Sequence, residues 1–313
     1  MQMILMGTGT SHGMPVIACH CKACMSADPK DTRYRCSAYI TNRGKDGRFT
    51  RLVIDTGPEF RLQALKYGIE GLDAVLLTHS HADHLHGLDD LRVFSHTYPS
   101  DYMRVAGVSD RSLRSDKITC GLPVYTNPSA IIDIKNRFDY IFRKTLQGGG
   151  IPKLSLKDCS ACTGENPLFI GGLRVIPVPL IHGNLSTTGF LISCLGKDDK
   201  LHSTAYLTDC SFISDESISL VTTYGGILDA VIIDGLRARP HPTHCNFDEA
   251  LSYANRLAAR QTWLIHICHD MCHEEIIQYV NNHIPFYPNL SAIIEAGGSV
   301  GPGYDGLVVS SGE

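Results

Sequence analysis

Short apolar runs bounded by charged or turn-forming residues recur along the chain. Leu52-Val53-Ile54-Asp55, Leu72 to Leu77, Leu173 to Val178, Ala205-Tyr206-Leu207-Thr208, Ala230-Val231-Ile232-Ile233-Asp234 and Thr262-Trp263-Leu264-Ile265-His266 read as strands. Met1 to Gly7 reads as the first strand. Leu85, Leu88, Leu91 and Val93–Phe94 have helical spacing. A second helix is expected from Phe247 to Ala259, with Asn246 or Asp248 as N-cap and Leu251, Ala254 and Leu257–Ala258 facing inward. Strands mixed with helices predict an α/β layered domain. Residues 96–168 break the pattern with Gly148-Gly149-Gly150, scattered charge and few clean strands. They read as an insertion carried by a single domain spanning 1–313.

The polar residues that follow these runs carry the chemistry. In Thr78-His79-Ser80-His81-Ala82-Asp83-His84-Leu85-His86-Gly87, five of ten residues are histidine or aspartate. Imidazole and carboxylate are the usual ligands of zinc, manganese and iron. One short loop cannot wrap a single ion with His79, His81, Asp83 and His84 together, but it can feed two adjacent ions. Later strand ends offer further ligands, because His182, Asp209 and His266 each sit just past an apolar run. A second cluster, Cys19-His20-Cys21-Lys22-Ala23-Cys24, has C-x-C-x-x-C spacing suited to thiolate ligation of zinc. His269 is the expected fourth ligand. If its segment is extended, the three-residue offset from His266 turns the two side chains to opposite faces. Cys268, Cys272 and His273 compete for that role.

Composition narrows the setting. The chain has 313 residues, a formal charge of −4, twelve cysteines and fifteen histidines. It lacks a basic run for RNA or anionic lipid and any apolar stretch near the roughly 20 residues of a membrane span. The N-terminus has no signal-peptide pattern. Reduced thiols and a cytoplasmic location are therefore expected. Gly7 to Gly13 lacks the phosphate-loop and dinucleotide fingerprints, so tight turns explain its glycines. Cys159-Ser160-Ala161-Cys162 is a lone pair without an assigned role.

The H-x-H-x-D-H pattern of His79 to His84 resembles the signature of the metallo-β-lactamase superfamily of hydrolases. That resemblance implies a four-layer αββα sandwich with two metals at one edge of its sheets. It assigns His79, His81 and His182 to one ion, Asp83, His84 and His266 to the other, and Asp209 to a bridging position. Asp55 resembles the superfamily's strand-end aspartate that supports the histidine loop. Gly7-Thr8-Gly9-Thr10-Ser11-His12-Gly13-Met14-Pro15, the cysteine cluster and His266-Ile267-Cys268-His269 are similar to one subgroup, the phosphoribosyl cyclic phosphodiesterases of the carbon–phosphorus lyase pathway and their relatives. The likeness spans roughly 3–95 and 170–308, and it implies a structural zinc held by Cys19, Cys21, Cys24 and His269. The stretch Arg237 to Asn246 resembles the subgroup's segment with an active-site histidine. His244 matches it best, as general acid to the leaving oxygen, with His241 next.

The expected cofactors are thus two catalytic divalent ions (zinc, manganese or iron) and one structural zinc. A bound metal can lower the pKa of water from 15.7 to about 7, and Asp83 could orient the resulting hydroxide. The resemblance implies a phosphodiesterase acting on a small cyclic or linear phosphodiester. An RNA-processing endonuclease would need an electropositive surface that the acidic composition does not supply. Thiolester or lactam hydrolysis is a further reading. An oxygen-reducing di-iron protein would carry Glu in place of His81, and a non-catalytic metal-binding module would lack ligands that are present here. The expected partners are the small substrate and, as an admitted assembly, a second copy in a homodimer; a membrane is excluded and nucleic acid disfavoured.

Overall fold

Alternation of side chains along each strand divides the core into three apolar layers. The computed structural model describes residues 1–45, 47–96, 121–143 and 150–313. One sheet contains β1 (Gln2–Gly7), β2 (Ser37–Arg43), β3 (Phe49–Ile54), β4 (Ala74–Leu76), β5 (Leu122–Thr126), β6 (Leu154–Asp158) and β14 (Val308–Ser310), in the order β14-β1-β2-β3-β4-β5-β6. The other contains β7 (Leu168–Ile170), β8 (Leu173–His182), β9 (Leu185–Leu195), β10 (Leu201–Leu207), β11 (Ile227–Asp234), β12 (Gln261–Ile265) and β13 (Ser299–Pro302), ordered from β13 to β7.

Leu52, Ile54 and Leu76 of the first sheet pack against Phe190, Tyr206 and Ile232 of the second, forming the central layer. Their sequence neighbours point the other way. Val53, Val75 and Leu77 meet Phe60, Leu85, Leu91 and Ile134 on the outer face of the first sheet. Val231 and Ile233 meet Phe247, Leu251 and Ala254 from the helix Phe247–Leu257, with Ile276 and Val280 from the helix His273–His283. The result is the expected αββα sandwich. A strand buried on both faces reads as a continuous apolar run, which is why β11 was legible as such.

Some elements differ in extent from the sequence reading. The helical spacing of 85–94 is split into the helix Ala82–Leu85, a 3₁₀ turn Leu88–Leu91 and the helix Arg92–His96. Gly87 lies at the break, where an added Cβ would come 2.2 Å from the Gly57 carbonyl oxygen. The helix after β11 has Asn246 as its cap, in a reciprocal capping box with Glu249. Within 96–168, residues 97–120 and 144–149 (including Gly148 and Gly149) lie outside the described residues. The described part is integral to the first sheet, because β4, β5 and β6 pair in parallel. Pro123 and the polar residues Ser155 and Lys157 obscured these two strands in the sequence. Among the described residues no helix is long and apolar enough to cross a membrane.

Parallel pairing also places the site. β3 pairs parallel with β4, and β10, β11 and β12 pair parallel in turn, so their carboxyl ends lie together at one edge of each sheet.

Candidate metal centre

Each strand run delivers one polar side chain to that edge. Asp55 follows β3, His79 follows β4, His182 ends β8, Asp209 follows β10, Asp234 ends β11 and His266 follows β12. Asp55, Asp209 and His266 have φ of 58°, 52° and 60°. This left-handed backbone costs a non-glycine residue on the order of 1–3 kcal/mol, and such strain clusters at functional sites.

Asp55 organises the histidine loop from behind. It is fully buried and accepts from the Thr78 backbone N–H at 2.8 Å and the Thr78 hydroxyl at 2.8 Å. The hydroxyl, having spent its proton on Asp55, accepts from His79 Nδ1 at 3.0 Å. Asp55 also accepts from His84 Nδ1 at 2.7 Å. One carboxylate therefore sets the tautomers of two histidines and leaves the Nε2 lone pair of each facing the edge. His182 reaches the same state by donating from Nδ1 to the Thr243 carbonyl at 2.6 Å.

The facing atoms converge in two groups that share Asp209. His79, His81, His182 and Asp209 form one; Asp83, His84, His266 and Asp209 form the other, with the ligand atoms of each within 4.8 Å of one another. His84 Nε2 lies 3.2 Å from both an Asp83 and an Asp209 oxygen, and His266 Nε2 lies 3.4 Å from Asp209 and 3.7 Å from Asp83. Burial opposes charge on His84, yet Asp209, Asp83 and Asp55 raise its pKa well above the usual imidazole value. Burial likewise opposes charge on His266, which Asp209 and Asp83 lift to about 9. Burial pushes Asp209 up, and His266, His84 and His79 outweigh it to hold the carboxyl far below its ordinary range. The edge thus gathers positive charge that divalent ions would replace. Buried Nε2 atoms of His79, His84 and His266 make no hydrogen bond. Unpaired imidazole nitrogens aimed at shared carboxylates fit divalent metal ions, which these two groups would hold with Asp209 common to both.

A third group was only half legible. His244 donates from Nδ1 to Asp234 at 2.7 Å, and Asp234 also accepts from the Cys210 backbone N–H at 2.9 Å. The His244 ring stacks on His266 at 4.3 Å and lies 4.5 Å from His182. The sequence reading missed Asp234 as a site residue, although it ends an apolar run just as His182 does.

The cysteine cluster sits beside this edge. Sγ of Cys19, Cys21 and Cys24 lie 3.3, 3.4 and 3.5 Å from His269 Nδ1. Zinc–sulfur and zinc–nitrogen bonds at a tetrahedral angle place these atoms about 3.5 Å apart, so the four residues fit one zinc ion. The Cys24 backbone N–H draws the Cys21 thiol down to about 6, whereas burial lifts Cys24 to about 11. Cys268, Cys272 and His273 do not join this group: Cys272 packs beside it and caps the following helix, and the His273 ring accepts from buried Arg33.

Comparison with known proteins agrees with this geometry. The family model described as "Beta-lactamase superfamily domain" matches residues 50–267. The chain is 34% identical over 302 residues to a protein of Porphyromonas gingivalis (strain ATCC BAA-308 / W83) named octanoyltransferase. That match covers 95% of this chain but 52% of the relative, so the chain spans about half the relative's length. Among solved structures, a "New Diphosphatase from the PhnP Family" is 32% identical with a TM-score of 0.72, over 99% of this chain and 97% of that one. The short form of human tRNase Z has a TM-score of 0.58 at 16% identity, over 99% of both chains, and shares the fold. The chain belongs to the beta-lactamase superfamily of metallo-hydrolases and, within it, to the PhnP family.

Proposed function

We propose that the protein is a phosphodiesterase that uses two divalent ions and cleaves a small phosphate ester whose leaving group is a poor one. Metal ions held by His79, His81, His182, Asp83, His84, His266 and a bridging Asp209 would supply positive charge to the phosphoryl oxygens and lower the pKa of the attacking water. The chain's own residues do the rest. Asp55 and the Thr243 carbonyl hold the ligand histidines in register. Asp83, on the rim of the second group, orients the attacking water. His244 donates a proton from Nε2 to the leaving oxygen, and Asp234 stabilises the imidazolium that carries it.

The observation that carries this reading is the Asp234–His244 pair stacked against His266. An alkoxide leaving group needs such an acid. A thiolate, with a pKa near 8.5, needs little help in departing. The phosphorus substrate is supported by the likeness to a diphosphatase. The relative named octanoyltransferase supports a second reading, hydrolysis of an acyl thiolester at the same edge.

Hydrolysis assays on His244→Ala decide between them. For a cyclic ribose phosphodiester the variant should lose about 10²–10⁴-fold in kcat while binding the same metals. For bis(p-nitrophenyl) phosphate, with its better leaving group, the loss should be smaller. A fully metallated wild-type protein that turned over an octanoyl thiolester and no phosphate ester would overturn the proposal.

A further inference from the structure

We propose that His241 is a specificity-determining residue that donates a hydrogen bond from Nε2 to an oxygen of the leaving group, and that Thr243 fixes the tautomer it needs. The inference rests on the phosphodiesterase reading above and concerns a histidine that belongs to none of the metal-ligand groups among the described residues.

The placement comes first. The His241 ring lies 5.3 Å from His244, which itself contacts His182 and His266. His241 is therefore one ring beyond the proton donor as seen from the candidate metal ligands, where the departing half of the substrate must sit. It is half-buried, so its ring is held yet reachable. The turn that carries it is braced by Arg237, whose Nε donates to the Arg239 carbonyl at 3.4 Å and whose Nη2 donates to the Pro240 carbonyl at 3.3 Å.

The tautomer follows from the partner. The Thr243 backbone N–H points at His241 Nδ1 at 3.4 Å, with the Thr243 hydroxyl 3.2 Å away. A backbone N–H can only donate, so Nδ1 is the acceptor and the ring proton resides on Nε2. The carbonyl of the same residue can only accept, and it takes the Nδ1 proton of His182 at 2.6 Å. Thr243 thus gives neighbouring histidines opposite roles: His182 presents a lone pair at Nε2 and His241 presents a proton. Burial, His244 and Arg237 lower the pKa of His241, which favours the neutral ring; the Nε2 donor itself is set by the Thr243 contact. The leaving oxygen takes its proton from His244. A second donor beside it recognises a leaving group that bears a further oxygen, whether a sugar hydroxyl or a second phosphate. Both share the acceptor chemistry, and the substrates below tell them apart.

Two measurements test this. Nitrogen-15 NMR of the ring should show a protonated Nε2 and a bare Nδ1 on His241 in the holoprotein; a protonated Nδ1 overturns the proposal without reference to any activity. Kinetics should show kcat/KM for a cyclic ribose phosphodiester, a diphosphate monoester, or both, falling about 10- to 100-fold in His241→Ala. The value for bis(p-nitrophenyl) phosphate, which lacks an adjacent acceptor, should change less than about threefold. His241→Gln, which keeps an N–H near the Nε2 position, should recover most of the loss, and metal content should equal wild type in both. Equal losses on every substrate, or none on any, would show that His241 makes no such contact. Should wild type cleave no phosphate ester, the phosphodiesterase reading fails on its own account, and the tautomer measurement still judges His241.

Discussion

The histidine–aspartate edge joins four residues of the loop His79–His84 to His182, Asp209 and His266 at three distant strand ends, whereas the cysteine cluster takes three of its four from the single loop Cys19–Cys24. The edge is almost wholly buried, is supported by carboxylates behind the ligands, and holds three non-glycine residues at positive φ. The loop is half-exposed, and its thiols rest on a small apolar cluster of Met14, Val16, Ala23 and Cys272. The difference teaches what each centre depends on. Two packed sheets fix the edge without an ion, while the loop, with less packed structure around it, would gain more of its order from an ion held by its thiols. The two meet in one segment. His266 faces the edge, His269 faces the cysteines, and between them the Ile267 N–H donates to the Thr8 carbonyl at 3.0 Å while its own carbonyl accepts from the Thr10 N–H at 3.1 Å.

The harshest break in that comparison is Asp209→Asn, because Asp209 belongs to both ligand groups of the edge and to neither thiol nor loop. Asparagine tolerates the left-handed backbone, so the fold should survive. Turnover should fall about 10³-fold or more. Metal analysis should drop from about three ions per chain to about one, the survivor being cysteine-bound. A variant that lost the cysteine-bound ion as well would show the centres to be interdependent. Cys21→Ser is the converse and milder. It should remove one ion and lower the melting temperature by roughly 5–10 °C, while reducing turnover less than about tenfold. Wild-type melting behaviour with that ion gone would show that the loop needs no metal for its order.

The same contrast governs how much could be read from the chain. Strand-end candidates announce themselves because an apolar run must stop where it meets the edge, and the polar residue after it stands out; His182, Asp209 and His266, which the fold gathers at that edge, were legible for that reason. Asp234 ends an equally clear run in β11, yet was passed over because nothing local marks an aspartate that supports a histidine ten residues away. The cysteine spacing was legible, and His269 joins it as expected, though not by strand alternation: the segment bends at His266, whose φ is 60°, and turns at His269. What remained hidden depends on tertiary pairing. Thr243 carries no sequence signal for setting two tautomers. Strand β6 alternates Leu154, Ser155, Leu156 and Lys157 at a sheet edge, where one polar face is tolerated and no buried run forms.

The smallest expected effect probes the joint between the regions. Arg33 is buried and donates to Thr8 Oγ1 at 2.8 Å, to the Gly303 carbonyl at 2.5 Å and to His273 Nδ1 at 3.0 Å. It thereby links the segment just past β1, which carries Thr8, to the helix that follows His269. Burial and the Arg33 charge hold His273 down to about 4, because a protonated Nδ1 could no longer accept. As pH falls below the unfolded value of about 6.5, the unfolded chain gains a proton that the folded one refuses until about pH 4, so stability is lost across that window. The loss from this residue should reach on the order of 1–3 kcal/mol. Asp305 acts with the opposite sign: burial lifts it to about 6, so the folded state takes its proton first on acidification and gains stability. Wild type alone therefore reports only the balance. His273→Asn keeps an acceptor for Arg33 without a titrating ring, and the difference between variant and wild type in denaturant unfolding at pH 7 and pH 4.5 isolates His273. The variant should lose less stability than wild type on acidification. Identical losses would mean that His273 already exchanges its proton in the folded state, and that the joint between the two centres is looser than its buried hydrogen bonds imply.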